Sequence, residues 1–283
     1  MKTKIISTIT LCLLLALNAM AQHPESDAPS FGELLKMHPW RQARIAYFGD
    51  SVTDPNIPST QKKYWKYLEE WLHATSYVYA VNGRQWDDIP NQADSLSKEH
   101  GYQFDAILIF IGTNDYYADL PIGVWHTESK EQTHIKRWHQ PRQTVTRLRR
   151  HFDYNPQTLK GRINIAMRKI KTMYPDKQVV ILTPLHRALF NYKDKNIQLD
   201  ESYQNGAGLY LDEYVKAIKE TQEVWAVPVI DLGNLSGLFP LIKEQTKKFN
   251  APGDLLHPNN YGHKIMAQTL LYQLLTLPCR LEE

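Results

Sequence analysis

Residues Asp105–Gly112 read DAILIFIG, with six apolar residues in succession between Asp105 and Gly112. A strand with one wet face alternates polar and apolar side chains, and an unbroken run must be covered on both faces. This segment is therefore the central strand of a sheet that carries helices on either side. Four further short runs read as strands: Arg44–Gly49 (RIAYFG), Tyr77–Asn82 (YVYAVN), Gln178–Pro184 (QVVILTP) and Val227–Leu232 (VPVIDL). Helical spacing appears between them. It is seen at Tyr64, Trp65, Leu68, Trp71 and Leu72, at Ile163, Ala166, Ile170 and Met173, and at Leu211, Tyr214, Val215 and Ile218. A last helix is expected to begin at Pro258, a residue suited to a first turn, and to run to about Leu275. Strands alternating with helices predict an α/β fold with a parallel sheet. The chain's 283 residues, 42% of them hydrophobic, suffice for one such domain over residues 22–283.

The first 21 residues read as an export signal. Lys2 and Lys4 form a basic start, Ile5 to Leu17 is apolar, and Ala19-Met20-Ala21 is an A-x-A cleavage site before Gln22. The apolar run is short for a membrane span, so no stable insertion is expected after cleavage. The expected localisation is exported, periplasmic or secreted. Without residues 1–21, 31 Lys and Arg stand against 30 Asp and Glu, a net charge of +1. That balance gives no reason to expect nucleic acid as a partner. Cys279 is then the one cysteine left, which precludes an internal disulfide, and is expected as a small, partly buried apolar residue.

Chemistry-bearing residues cluster at strand ends. Gly49-Asp50-Ser51 ends the first strand and places a serine at the sheet's C-terminal edge; capping the next helix is its alternative role. It is not a G-x-S-x-G elbow, because Thr53 stands in the last position. Gly112-Thr113-Asn114-Asp115 ends the central strand and offers the Asn114 amide as an oxyanion donor, or a simple turn. Asn82-Gly83-Arg84 ends the second strand, where Gly83 presents its N–H or serves only the turn. In the last loop, Asp254 lies three residues before His257, within reach of Nδ1, and Pro258 biases His257 away from helical angles. Serine, histidine, aspartate and an amide donor are the parts of an acyl-transfer site.

In this order the four blocks resemble the SGNH subgroup of the GDSL hydrolase superfamily, through Ser51, Gly83, Asn114 and His257, with Asp254 completing a triad. The resemblance implies a three-layer α/β/α sandwich, flavodoxin-like, with a five-stranded parallel sheet in the order 2-1-3-4-5. It implies metal-independent ester hydrolysis without a cofactor. Ser51 would be the nucleophile, His257 the base and Asp254 its orienter. The Ser51 and Gly83 backbone N–H groups and the Asn114 side chain would form the oxyanion hole. Asp50 is assigned a structural hydrogen bond that steadies the nucleophile loop.

Other signals are weaker. His126, His134 and His139 lack the spacing of a zinc site, and Gly206-Ala207-Gly208 lacks the third glycine of a dinucleotide loop. Residues 116–155 break the strand–helix alternation and are read as an insertion over the C-terminal edge, either a lid or substrate platform or a solvated excursion. Its stretch Arg137 to Arg150 is read as a basic helix that is solvated or contacts acidic sugars. Trp86, Trp125 and Trp138 are candidates for stacking on sugar rings, and His186, beside Arg187, for a substrate contact. The leading expectation is an exported serine esterase acting on short-chain, O-acetyl esters of carbohydrate, its partner a small ester or an acetylated glycan. Alternatives are a short-chain lipid or lysophospholipid esterase, which would expose aliphatic residues around its mouth, and a catalytically silent glycan-binding protein.

Overall fold

The computed structural model describes residues 30–58 and 60–280. The export signal expected at residues 1–21 lies outside the described residues. The chain divides into two units at Met37 and His38. In the first, helix α1 (Phe31–Met37) opens on a capping box: the Glu33 N–H donates to Ser30 Oγ, and the Ser30 N–H to Glu33 Oε2 at 2.7 Å.

The second unit is built on a five-stranded, wholly parallel sheet. Its strands are β1 (Arg44–Gly49), β2 (Thr75–Val78), β3 (Ala106–Phe110), β6 (Gln178–Leu182) and β9 (Val229–Ile230), in the order β2-β1-β3-β6-β9. Taken as the first to fifth strands of the sheet, this is the expected order 2-1-3-4-5. Central β3 is buried along its whole length, as its unbroken apolar run requires. Helices cover both faces. On one, Phe48, Ile107, Ile109 and Ile181 pack into a core with residues of α3 (Ile89–His100), α5 (Leu159–Met173) and α6 (Leu211–Trp225). On the other, Tyr47 and Phe110 meet Tyr64 of α2 (Tyr64–Leu72) edge-on, with ring centroids 6.0 Å apart in each pair, and α7 (Asn260–Leu274) packs beside α2.

The element ends depart from expectation where the sheet thins. The second strand begins at Thr75 and its regular pairing stops at Val78, although the Tyr79 and Val81 N–H groups still donate to β1 carbonyls. The fifth strand is only two residues long. Pro258 ends strand β11 (Asp254–Pro258) instead of opening the last helix, which Asn259 caps by accepting from the Tyr261 and Gly262 N–H groups. Cys279 is buried.

The insertion differs most. Residues Arg137 to Arg150 do not form a helix: β4 (His126–Ile135) and β5 (Gln143–Phe152) make an antiparallel ribbon, paired from His126↔Phe152 to Ile135↔Gln143. The β-branched run Thr144, Val145 and Thr146 suits a strand, and Arg147, Arg149 and Arg150 are all exposed. The ribbon's base is held by α5 and α6. Asn164 Nδ2 donates to the carbonyls of Trp125 and Asp153, and Phe152 stacks on Trp225 at 4.4 Å. Trp225 ends α6, whose first residues lie at the opposite, C-terminal edge of the sheet.

Candidate active site

β1 delivers Gly49 to the C-terminal edge beside β3. A side chain at Gly49 would bring its Cβ within 2.5 Å of the Phe110 carbonyl, so glycine alone permits this approach. Both backbone polar groups of Gly49 are met by one side chain, Gln92 of α3, at 2.8 and 3.0 Å. The chain then turns, with the Thr53 and Asp54 N–H groups donating to the Asp50 carbonyl. Ser51 sits in this turn, thirteen residues before α2, so it does not cap that helix.

From the far end of the chain, β10 (Asn250–Ala251) and β11 form a small hairpin around Pro252-Gly253, with Gly253 at φ +75°. This is the proline-then-glycine arrangement of a type II turn. The hairpin holds Asp254 and His257 rigidly. Asp254 Oδ1 accepts the Leu256 and His257 backbone N–H groups at 3.0 Å each, and Asp254 Oδ2 lies 2.6 Å from His257 Nδ1. His257 Nε2 lies 2.9 Å from Ser51 Oγ. Burial alone would raise the Asp254 pKa, but the His257 hydrogen bond and charge and the two backbone donors outweigh it and hold the carboxyl below its ordinary range. An ionised Asp254 selects the tautomer with the proton on Nδ1, leaving Nε2 free to accept from Ser51. Phe190 stands edge-on to the His257 ring at 5.7 Å and shields it.

Gly112 turns the chain out of β3 at φ +132°, where a Cβ would come within 2.7 Å of Ile218 Cδ1. Asn114, in the short helix α4 (Thr113–Tyr117), aims its Nδ2 at Asp50 Oδ2 (3.3 Å) and at the Arg84 carbonyl (3.0 Å). Its amide therefore bridges the nucleophile loop and the loop of Gly83. Asp54 fixes the other side of that loop by accepting the Asn82 N–H at 2.8 Å, and Gly83 between these ties adopts φ +75°. Asp50 accepts the Val52 N–H through Oδ1 and the Asn114 amide through Oδ2, the steadying role expected of it. Burial raises its pKa to about 6.

Three buried charges here carry no signal in the sequence. Lys63, just before α2, points its Nζ at the Ser51 carbonyl, 3.3 Å away, and faces Asp50, Asp54 and Asp254. Desolvation lowers its pKa to about 8 against those three carboxylates. Nothing in Lys62-Lys63 marks the second lysine as buried and the first as partly exposed. Asp115 is fully buried, accepting the Trp86 N–H and lying 3.4 Å from Arg162; burial raises its pKa to about 7. Arg187 is buried as well, its guanidinium on Thr113 Oγ1 and Gln198 Oε1, so it braces the Asn114 turn and faces no solvent.

The tryptophans do not gather at the site. Trp86 is fully buried in the core and has no face to offer a sugar. Trp125 is half-buried at the ribbon's base, its indole N–H on Glu220 at 2.7 Å. Trp138, 91% exposed, lies at the ribbon's tip beside His139. No hydrogen bond, ion pair or ring contact joins the ribbon to Ser51, His257 or Asn114 among the described residues. His186 is at the edge, on the wall between two cavities. A small one of about 10 Å³ is bounded by Asp50, Val52, Thr113, Leu185 and Leu256. A larger one of about 340 Å³ is bounded by Glu201, Tyr210, Asp212 and Asn234. Asn234 Nδ2 donates to both oxygens of Asp231, which turns its Oδ1 toward His186 Nε2. Glu201 meets His186 Nδ1 at 2.7 Å. Acceptors on both nitrogens favour the imidazolium, and the Glu201 hydrogen bond raises the His186 pKa.

The chain is similar to known proteins in sequence and in fold. The family model described as GDSL-like lipase/acylhydrolase matches residues 47–265. A protein from Lactobacillus plantarum shares the fold at TM-score 0.64 and 21% identity, over 84% of this chain and 98% of its own. A structure described as a possible lipase from Chitinophaga pinensis does so at TM-score 0.60 and 21% identity, over 83% and 98%. No curated protein matches the sequence. The chain belongs to the GDSL-like lipase/acylhydrolase family, a family of carboxylic ester hydrolases.

Proposed function

We propose that this protein hydrolyses short-chain esters, O-acetyl esters of carbohydrate in particular, through a serine acyl-enzyme. The observation that carries the reading is the unbroken relay Asp254–His257–Ser51, at 2.6 and 2.9 Å. Ser51 Oγ attacks the acyl carbon as His257 Nε2 takes its proton. His257 then returns that proton to the leaving alcohol, and water repeats the sequence on the acyl-enzyme. The Ser51 and Gly83 N–H groups and the Asn114 amide receive the oxyanion, with the longer of Asn114's two contacts, that to Asp50, giving way.

Two features support the substrate class. The small cavity lined by Asp50 and Val52, the two neighbours of Ser51, has room for about one water-sized group, the size of an acetyl methyl. The larger cavity beyond His186 is lined by Pro184, Leu185, Leu211 and Val215 together with Glu201, Tyr210, Asp212 and Asn234, polar groups that suit a hydroxylated leaving group. With the tryptophans elsewhere, this cavity and not ring stacking supports the carbohydrate reading. Export is proposed from the pattern of residues 1–21, and Gln22 at the N-terminus of the isolated protein would test it.

A short-chain lipid ester is the second reading. Leu189, Tyr192, Ile197 and Leu199, on and around the hairpin β7–β8 (Phe190–Tyr192 and Asn196–Gln198) beside His257, are exposed, as are Phe239 and Ile242. Hydrolysis of p-nitrophenyl esters decides between them. Rates highest on acetate, and lost in Ser51→Ala and His257→Ala, are expected; rates that climb from two-carbon to eight-carbon esters would transfer the proposal to lipids.

A further inference from the structure

The β4–β5 ribbon concentrates the chain's positive charge. Seven of the 33 Lys and Arg and two of the 30 Asp and Glu lie between His126 and Phe152, so the ribbon carries +5 and the remainder of the sequence −2. Glu128 and Glu131 are already paired with Arg150 and Arg149 near the base, at 3.1 and 3.0 Å. Lys130, Lys136, Arg137, Arg142 and Arg147 have no acidic partner among the described residues. They extend from mid-ribbon to the tip, where Trp138 stands almost wholly in solvent. Ten residues per strand give a reach of roughly 30 Å. The ribbon adds nothing to the core beyond its base, and isolated two-stranded ribbons are marginal by themselves. The fold does not need its outer part.

We propose that this ribbon is a docking arm for an extended, carboxylate-bearing polysaccharide. Unpaired arginines offer planar forks to carboxylates, and the indole of Trp138 offers a flat face to a sugar ring. Cations distributed along the ribbon fit a linear polyanion. A bilayer would meet the tip alone, where Trp138 is the one large apolar side chain. Single-stranded nucleic acid is held by several stacked aromatics, and Phe152 is already stacked on Trp225. The choice of polysaccharide among polyanions rests on the carbohydrate-ester reading above.

The test is affinity electrophoresis of the whole protein in polygalacturonate, neutral xylan, DNA and phosphatidylserine vesicles. It includes Trp138→Ala and a combined variant carrying Lys130→Gln, Arg137→Gln, Arg142→Gln and Arg147→Gln. Polygalacturonate is expected to retard the wild type, less so as salt rises, while neutral xylan does not. The combined variant should bind about tenfold more weakly or worse, and Trp138→Ala about threefold more weakly. Both variants should keep wild-type turnover of p-nitrophenyl acetate. No retardation of the wild type by polygalacturonate, undiminished binding by the combined variant, or tighter binding to DNA or vesicles would each overturn the proposal. Failure to hydrolyse p-nitrophenyl acetate would sink the esterase reading instead, leaving the retardation assay to judge the ribbon.

Discussion

Lys63 Nζ lies 3.3 Å from the Ser51 carbonyl oxygen, a buried ammonium directly behind the proposed nucleophile. Its depressed pKa, about 8, means that the ammonium form is present below that pH and lost above it. Losing the charge removes the hold on Ser51 and leaves Asp50, Asp54 and Asp254 less compensated. Turnover is therefore expected to fall as pH rises through 8. In Lys63→Met the fall should vanish, at a level about tenfold below wild type, since one charge-assisted hydrogen bond is lost at every pH. Rate profiles from pH 6 to 10, with melting curves to confirm folding, check this; an identical alkaline fall in both proteins would assign it elsewhere.

Asp254→Asn keeps the shape but lets the ring adopt the wrong tautomer. Turnover should drop by about 10³–10⁴, with a much smaller change in KM. Single-turnover kinetics on p-nitrophenyl acetate would show acylation slowed to that extent.

Asn114→Ala removes one oxyanion donor and should cost about 10²–10³ in kcat. Asp50→Asn, which leaves Asn114 in place but disturbs its aim and removes one carboxylate facing Lys63, should cost less. A larger loss in the Asp50 variant would mean that Asp50 does more than orient.

Asp105 anchors the start of β3 between Arg44 and Arg280. Burial would raise its pKa, but the hydrogen bonds from Arg44 and Arg280 hold it down to about 2. Its folded value lies below the unfolded one of about 3.9, so its stabilisation is complete above pH 4 and lost as pH falls from 4 to 2. Asp105→Asn should cost about 1–2 kcal/mol at pH 7 and almost nothing near pH 2. Urea unfolding at the two pH values measures the difference.

Gly112→Ala combines a backbone angle at φ +132° with a contact of 2.7 Å to Ile218 Cδ1. It should lower stability by at least about 2 kcal/mol and disturb Asn114, visible as a reduced melting temperature together with reduced kcat.

The sheet and the sequence blocks of the site were legible because each is a local pattern. The apolar run 106–111 suits a strand covered on both faces, and alternation with amphipathic helices points to the parallel arrangement around it. Ser51, Asn114 and the Asp254–His257 pair were legible because each stands within a few residues of a strand end or a Pro-Gly turn. The environment of each residue was not legible. Trp86 and Trp138 are the same residue type, yet one is fully buried and the other 91% exposed, since exposure depends on which distant elements pack against it. Lys63 and Lys62 are neighbours, yet only Lys63 is brought under Ser51, by the way α2 lies across the sheet. The insertion's arginines suggested a helix because their charge pattern has no period that excludes one. Pairing between His126–Ile135 and Gln143–Phe152, contacts made across the chain, decided for a ribbon. Local spacing thus determined the strands, the helices and the chemistry they can carry. Burial, charge compensation and the 2.9 Å meeting of Ser51 with His257, 206 residues apart, belong to tertiary structure, because desolvation and hydrogen-bond geometry depend on neighbours in space.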